Sequence, residues 1–259
     1  MIKIKNLWKK FGKLQVMAGL DLEVNTGETL VILGPSGIGK SVLLKHIIGI
    51  TKPDEGNVEI DGVSISDLDG DEIFKVIHNM GMLFQGGALF DSMNVEQNVS
   101  FYLTQHKNPQ TKTSYSKKEI VERVKESLNM VGLSGTEKQM PSDLSGGMRK
   151  RAALARLIAY RPSIVLYDEP TTGLDPITAM QINELIVKTQ KELKATSIVV
   201  THDMFSALYV GDRLSLIRDG KIAHIAKPDD FLKIDDPLIK FLYNTISKDP
   251  RSFKETSHG

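Results

Sequence analysis

One octapeptide constrains this chain more than any other feature: Gly34-Pro35-Ser36-Gly37-Ile38-Gly39-Lys40-Ser41. It fits the pattern G-x-x-x-x-G-K-[ST] at every fixed position. The run Thr29 to Leu33 before it reads as a buried strand, and Lys40 to Ile48 after it as a helix. Glycines in such a turn let the backbone close around a polyphosphate. Successive N–H groups and the helix N-terminus then face the anion. Lys40 can reach the β- and γ-phosphates, and the Ser41 hydroxyl can bind magnesium. A chance glycine-rich turn is the competing reading, and the strand–turn–helix context argues against it.

The flanking sequence supplies a sheet for this loop. Met80 to Phe84, Ser163 to Tyr167 and Ser197 to Thr201 read as short strands, and they alternate with longer helical patterns. That alternation predicts a mostly parallel sheet with crossovers. Pro176 to Leu193 is predicted helical, with Asp175 placed to cap it and Pro176 at its first position. Two hairpins are predicted around Asp61-Gly62 and Asp219-Gly220 and add antiparallel strands. Residues 94 to about 160 read instead as helices with no strand between them. Ser116 and Glu119 form a capping box there, and Ile120, Val121, Val124, Leu128 and Val131 recur at helical spacing. The polar stretch between Gln105 and Ser116 reads as a surface loop. A helical subdomain is thus expected inside an α/β core. At 259 residues and 41% hydrophobic, the chain can bury a sizeable core.

Composition excludes several classes. The formal net charge is +1, so no global basic field favours nucleic acid as a partner. Cysteine is absent, which removes disulfides and thiolate zinc sites and fits a reducing compartment. The start Met1-Ile2-Lys3-Ile4-Lys5 has no apolar core of a signal peptide. Apolar runs such as Leu30 to Leu33 fall far short of the roughly 20 residues that span a bilayer. Any membrane role is therefore expected to come through partners.

Ile164-Val165-Leu166-Tyr167-Asp168-Glu169-Pro170 is an apolar strand ending in two acids. In an open parallel sheet, ligands bind beyond the carboxyl ends of the strands. Asp168 is placed to hold magnesium, and Glu169 to orient and deprotonate an attacking water. The bland alternative is a pair of acids in a turn, one of them capping the next helix.

In this order the motifs resemble the ABC ATPase family, over about residues 2 to 225. Leu144-Ser145-Gly146-Gly147-Met148 resembles its LSGGQ segment, and Gln85 its Q-loop glutamine. Gly173-Leu174-Asp175 resembles the D-loop, His202 the switch histidine, and Phe11 the aromatic that stacks on adenine. Two departures are Met148, in place of the usual glutamine, and Val42, where many members have threonine. The resemblance implies a P-loop NTPase fold with a RecA-like core, an antiparallel β subdomain and the inserted helical subdomain. Residues 226–259 form a C-terminal extension and tail outside it. It also implies ATP and Mg²⁺ as ligands. The family holds each ATP between the 34–42 loop of one copy and the Ser145, Gly146 and Gly147 segment of another, with Asp175 nearby. A homodimer is therefore implied. Ser41, Gln85 and Asp168 are implied for the metal, Glu169 and His202 for catalysis.

Some residues keep two readings. Phe11 is either adenine-stacking or core. His202 is either a γ-phosphate sensor or structural. Arg149, Lys150 and Arg151 crowd a helix start, where positive charge opposes the macrodipole; they mark either a functional site or a solvated basic face.

The segment Met80 to Val95, the run Lys40 to Gly49, Met148 and the ending Asp235 to Leu242 resemble ATPases of MCE-type phospholipid transporters, including the Mla system. That subgroup implies a separate membrane permease, an MCE-type lipid-binding partner, and a place on the cytoplasmic face of the membrane. Ala88, Leu89, Phe90 and Met93 form an apolar cluster that either receives a permease helix or lies under the helical subdomain. Asp236 and Pro237 are predicted to start a helix with Leu238, Phe241, Leu242 and Ile246 on one face. Lys248 to Gly259 reads as a polar, frayed end.

Overall fold

The structure is a computed structural model and describes residues 1–108 and 111–247, with side chains through residue 244. Among these, ten strands form two sheets. The smaller is antiparallel, built from β1 (Ile2–Phe11), β2 (Leu14–Val24), β4 (Glu55–Ile60) and β5 (Val63–Ser64) in the order β2-β1-β4-β5. The larger has the order β10-β9-β3-β8-β7-β6. It comprises β3 (Thr29–Leu33), β6 (Met80–Leu83), β7 (Ile164–Asp168), β8 (Thr196–Thr201), β9 (Arg213–Arg218) and β10 (Lys221–Ala226). Its strands pair in parallel except for the β9–β10 hairpin.

Both faces of the parallel sheet are covered, as such sheets require. Leu30 and Ile32 of β3 point to one face, where α1 (Lys40–Ile47), α2 (Gly70–Ile77) and the antiparallel sheet pack. Val31 and Leu33 point to the other. That face carries α3 (Val95–Gln105), α4 (Lys117–Met130), α5 (Gly146–Ala159), α6 (Pro176–Leu193), α7 (Met204–Val210), α8 (Pro228–Phe231) and α9 (Pro237–Ser247). All four residues are fully buried, each worth about 1.5–3 kcal/mol of transfer free energy.

The predicted hairpins form where the turn chemistry allows. Asp61, Gly62, Asp219 and Gly220 all have positive φ, which a type I′ turn demands at both central positions. Asp175 caps α6 by accepting from the N–H groups of Ile177 and Thr178. Among the described residues of 94–160, helices α3, α4 and α5 are joined by turns and loops with no strand, only the isolated bridge Lys107 to Ser114 in the polar stretch.

Two expectations change. Ser116 accepts from the Glu119 N–H, but only this half of the box forms, because the Glu119 carboxylate turns to Arg123 at 3.4 Å. A reciprocal box forms instead at Asn94 and Gln97, opening α3. On α9 the buried residue is Ile239, flanked by partly buried Leu238 and Leu242, whereas Phe241 is 56% exposed. The Ile246 side chain and the stretch Lys248 to Gly259 lie outside the described residues.

Asp236 locks α9 to the sheet. It is buried, and its Oδ1 accepts from the N–H groups of Leu238 and Ile239. Its Oδ2 accepts from Arg218 at 2.7 Å and lies 3.0 Å from His224 Nε2. Burial pushes this carboxyl up, but the Leu238 N–H, Arg218 and His224 outweigh it and hold it below the ordinary carboxylate range. A depressed carboxyl stabilises the fold at neutral pH, and that contribution is lost as pH falls through its folded-state value. Asp236→Ala is expected to cost about 2 kcal/mol at pH 7. The gap between variant and parent should narrow below about pH 4 in thermal unfolding.

Candidate active site

The parallel register ends the strands at one edge of the sheet, staggered by one residue from β8 to β7 and by one more to β6. Leu33 lies opposite Thr201, Asp168 opposite Val200, and Leu83 opposite Tyr167. The residues that follow these strands, Gly34, Gln85, Glu169 and His202, therefore emerge at one edge. Ligands of open α/β sheets bind there.

The 34–41 loop joins β3 to α1. Gly39 sits at φ 106°, and a Cβ there would lie 2.4 Å from Val16 Cγ1 of β2, so only glycine fits. No side chain caps α1 and its first turn carries no acid. Its leading N–H groups are thus left to an anion. Lys40 is buried and donates to the Gly34 and Pro35 carbonyls at 2.7 and 2.9 Å. Its Nζ also lies 3.1 Å from Glu169 Oε1.

Ser41 Oγ donates to Asp168 Oδ1 at 2.7 Å, placing two hard oxygens side by side. Burial pushes the Asp168 carboxyl up, helped by the Glu169 charge and opposed by Ser41 and Lys40. Glu169 itself is held on both oxygens. Thr172 Oγ1 donates to Oε2 at 3.0 Å, and His202 Nδ1 lies 2.8 Å from the same atom. The Glu169 backbone has φ 47°, a strained value for a non-glycine, and its N–H donates to the Val200 carbonyl at 3.0 Å. His202 is half exposed, and with Nδ1 turned to Glu169 its Nε2 is the ring nitrogen left for a substrate oxygen.

These groups line a cleft of about 280 Å³: Ser36, Gly37, Gly39, Lys40, Ser41, Val42, Gln85, Glu169, Thr172 and His202. A larger crevice of about 550 Å³ between α4, α5 and α6 is lined by Arg123, Glu126, Arg161, Lys188 and Glu192 among others. Arg161 pairs there with Glu126, and Lys188 with Glu192. It contains no strand-end residue, and the chemistry belongs to the smaller cleft.

Ser145, Gly146, Gly147, Asp175 and Phe11 do not line this cleft. Ser145 caps α5, its Oγ accepting from the Met148 N–H at 3.2 Å. A Cβ on Gly147 would lie 2.5 Å from Thr178 Cγ2, so α5 and α6 touch at their starts. The Asp175 carboxyl is held below the ordinary range, first by the Thr178 hydroxyl and then by backbone N–H groups. Phe11, at the tip of the β1–β2 hairpin, is 49% exposed and outside the core. Met148 packs on the helical-side core, and Val42 on the core beneath α1.

Arg149, Lys150 and Arg151 do not share one solvated basic face: Arg149 is exposed, Arg151 is half-buried and Lys150 is buried. Each donates to main-chain carbonyls of its own chain. Arg149 reaches Leu144, Arg151 reaches Val131 and Gly132, and buried Lys150 reaches Pro170 and Thr172. Thr172 is a site residue that the sequence reading does not single out. Its only signal is a hydroxyl three residues after Glu169, next to another threonine.

The 84–93 segment is pinned from below. Arg156 donates to the carbonyls of Gly87 and Ala88, and buried Asn98 holds Phe90 and Met93. Phe84 (37%) and Phe90 (40%) remain exposed, so the apolar cluster is only partly covered.

The family model described as ABC transporter matches residues 17–172. The chain is 38% identical over 243 residues to the probable ribonucleotide transport ATP-binding protein mkl of Mycobacterium leprae, covering 94% of this chain and 68% of that protein. It is 39% identical over 254 residues to the intermembrane phospholipid transport system ATP-binding protein MlaF of Haemophilus influenzae, covering 98% and 94%. A dimeric post-hydrolysis structure of the ATP-binding cassette MJ0796, bound to ADP and phosphate, superposes with a TM-score of 0.79 at 35% identity, covering 88% of this chain and 99% of that one. The chain belongs to the ABC transporter family. It is an ATP-binding subunit that hydrolyses ATP, with the P-loop fold, antiparallel β subdomain and helical subdomain of that family. Among the described residues no helix is long and apolar enough to cross a membrane.

The raised Asp168 carboxyl carries a stability consequence. A folded state that favours the protonated acid loses that advantage as pH rises through the folded-state value. Above that value the buried charge of Asp168 therefore costs stability. Asp168→Asn should raise the nucleotide-free unfolding midpoint at alkaline pH, each 1 kcal/mol shifting it by about 2–4 °C. Thermal scans of parent and variant across pH check this.

Proposed function

We propose that Glu169 is the general base for ATP hydrolysis in this chain, and that the observation carrying this role is its grip by Lys40, Thr172 and His202. A carboxylate fixed on both oxygens at the mouth of a phosphate cleft is preorganised to take a proton from water. The water oxygen bonds to the γ-phosphorus as the bond to the ADP oxygen breaks, and Glu169 receives the water proton. Lys40 and the loop N–H groups stabilise charge on the phosphate oxygens. His202 meets the γ-phosphate through Nε2, and Phe11, exposed at its hairpin tip, stacks on adenine.

Ser41 and Asp168 would hold Mg²⁺ with Gln85, and their adjacent oxygens suit a hard cation. The ion would neutralise charge on the β- and γ-phosphates. Ser145, Gly146, Gly147 and Asp175 lie away from this chain's own cleft, which supports their serving the cleft of a second copy in a homodimer. The pinned, partly exposed 84–93 segment supports docking of a membrane permease helix, placing the chain on the cytoplasmic face of the membrane. The cargo we infer is phospholipid, delivered with an MCE-type protein; the extent of the match to MlaF supports it. A second reading keeps the ATPase and changes the cargo, because the mycobacterial ribonucleotide-transport relative is as similar in identity.

Glu169→Gln should slow hydrolysis by roughly 10²–10⁴ in a permease-bound preparation while ATP still binds. Unchanged turnover would refute the base assignment. Lys40→Ala should weaken ATP binding itself, read by nucleotide titration. For cargo, purification from membranes should recover a multi-span permease with an MCE protein. Recovery of a solute-binding protein of another type would reject the lipid reading.

A further inference from the structure

We propose that Lys150 is a positioning residue for ATP hydrolysis, holding the turn that carries Thr172 so that Thr172 can fix Glu169. The inference rests on Glu169 being the base. Lys150 lies on α5, just past the Ser145–Gly147 segment, and is 7% exposed. Its Nζ donates to the Pro170 carbonyl at 2.8 Å and the Thr172 carbonyl at 2.7 Å. Thr172 Oγ1 in turn donates to Glu169 Oε2 at 3.0 Å, and the Thr172 N–H to the Glu169 carbonyl at 3.3 Å. One ammonium therefore determines where the turn backbone sits, and that turn determines where the base points.

The turn needs such a clamp. Glu169 has φ 47°, outside the ordinary wells of a residue with a side chain, while Gly173 at φ 78° takes a turn open to glycine. Strained backbone persists only where its surroundings over-determine it. A lysine is rarely buried unless its charge is matched, and here two carbonyl dipoles match it, with the Glu169 charge close by. Burial lowers the Lys150 ammonium below the ordinary lysine range, and Glu169 opposes that shift. A second contact ties the same elements together: the Thr178 methyl fills the space at Gly147. The start of α5 and the 169–178 segment are thus joined within one chain, linking the helical subdomain to the base.

The test uses the full chain in its permease-bound complex. Lys150→Met should lower kcat roughly tenfold or more, while KM for ATP and affinity for a non-hydrolysable ATP analogue stay within about twofold. Lys150→Gln, whose amide keeps two donors, should recover most of kcat, and it keeps the test decisive if the methionine variant folds poorly. In a Glu169→Gln background, Lys150→Met should add little further loss, because the two act in series. Unchanged kcat in Lys150→Met would overturn the proposal. So would a joint loss of kcat, affinity and thermal midpoint that Lys150→Gln fails to restore. Normal turnover of Glu169→Gln alone would instead refute the base assignment. A slow Glu169→Gln beside a normal Lys150→Met would refute only the role of Lys150.

Discussion

The in-register parallel ladder of β3, β8 and β7 is the constraint on which the site depends. Leu33, Thr201 and Asp168 end their strands within one residue of one another because each ladder step is matched by hydrogen bonds to its neighbour. A one-residue slip would turn every side chain of a strand to the other face. It would put Leu30 and Ile32 against the wrong core, and it would carry Asp168 away from Ser41. Register is therefore protected by the burial of both faces, and the catalytic geometry inherits that protection. The 2.7 Å hydrogen bond from Ser41 to Asp168, across 127 residues of sequence, is the most direct expression of this.

Much of this arrangement was legible in the sequence wherever local chemistry was unambiguous. The 34–41 loop, the two Asp-Gly hairpins and the Asp175 cap each have one conformation that satisfies their residues. Strands β1 and β2 were not legible as strands. Register shifts between Ile4 and Leu7, and a positive φ at Asn6, break their alternation, so Ile2, Ile4 and Leu7 bury on one side without a clean period of two. On α9 the amphipathic pattern leaves two faces open, and packing on the helical-side core selects Ile239 while Phe241 stays exposed.

Charges were the least legible feature. Three consecutive cations at a helix start look like an exposed basic patch, yet Lys150 and Arg151 find main-chain carbonyls about twenty residues away that lie close only in the folded chain, and only Arg149 stays exposed beside its local partner Leu144. The carbonyls of Pro170 and Thr172 are 20 and 22 residues from Lys150. No local rule links them. Thr172 was missed for the same reason, since its role follows from Glu169 curling back through a left-handed backbone.

Helix α5 has a mechanical property that follows from its grip on two loops. Lys150 holds the carbonyls after Glu169, and Arg156 holds those after Gln85. The two side chains are six residues apart, about 9 Å along the helix axis. A rigid rod fastened at two points cannot shift one without the other. A displacement of α5 therefore acts on the Glu169 side and the Gln85 side of the cleft together. The hydroxyl of Tyr160, just past the end of α5, donates to the Met80 carbonyl at 3.1 Å and anchors that end to the first residue of β6. Helix α5 is thus fastened at both ends, to the sheet through Tyr160 and to the start of α6 through Gly147, so the glycine-rich segment at its start is set by the same contacts that set the two loops.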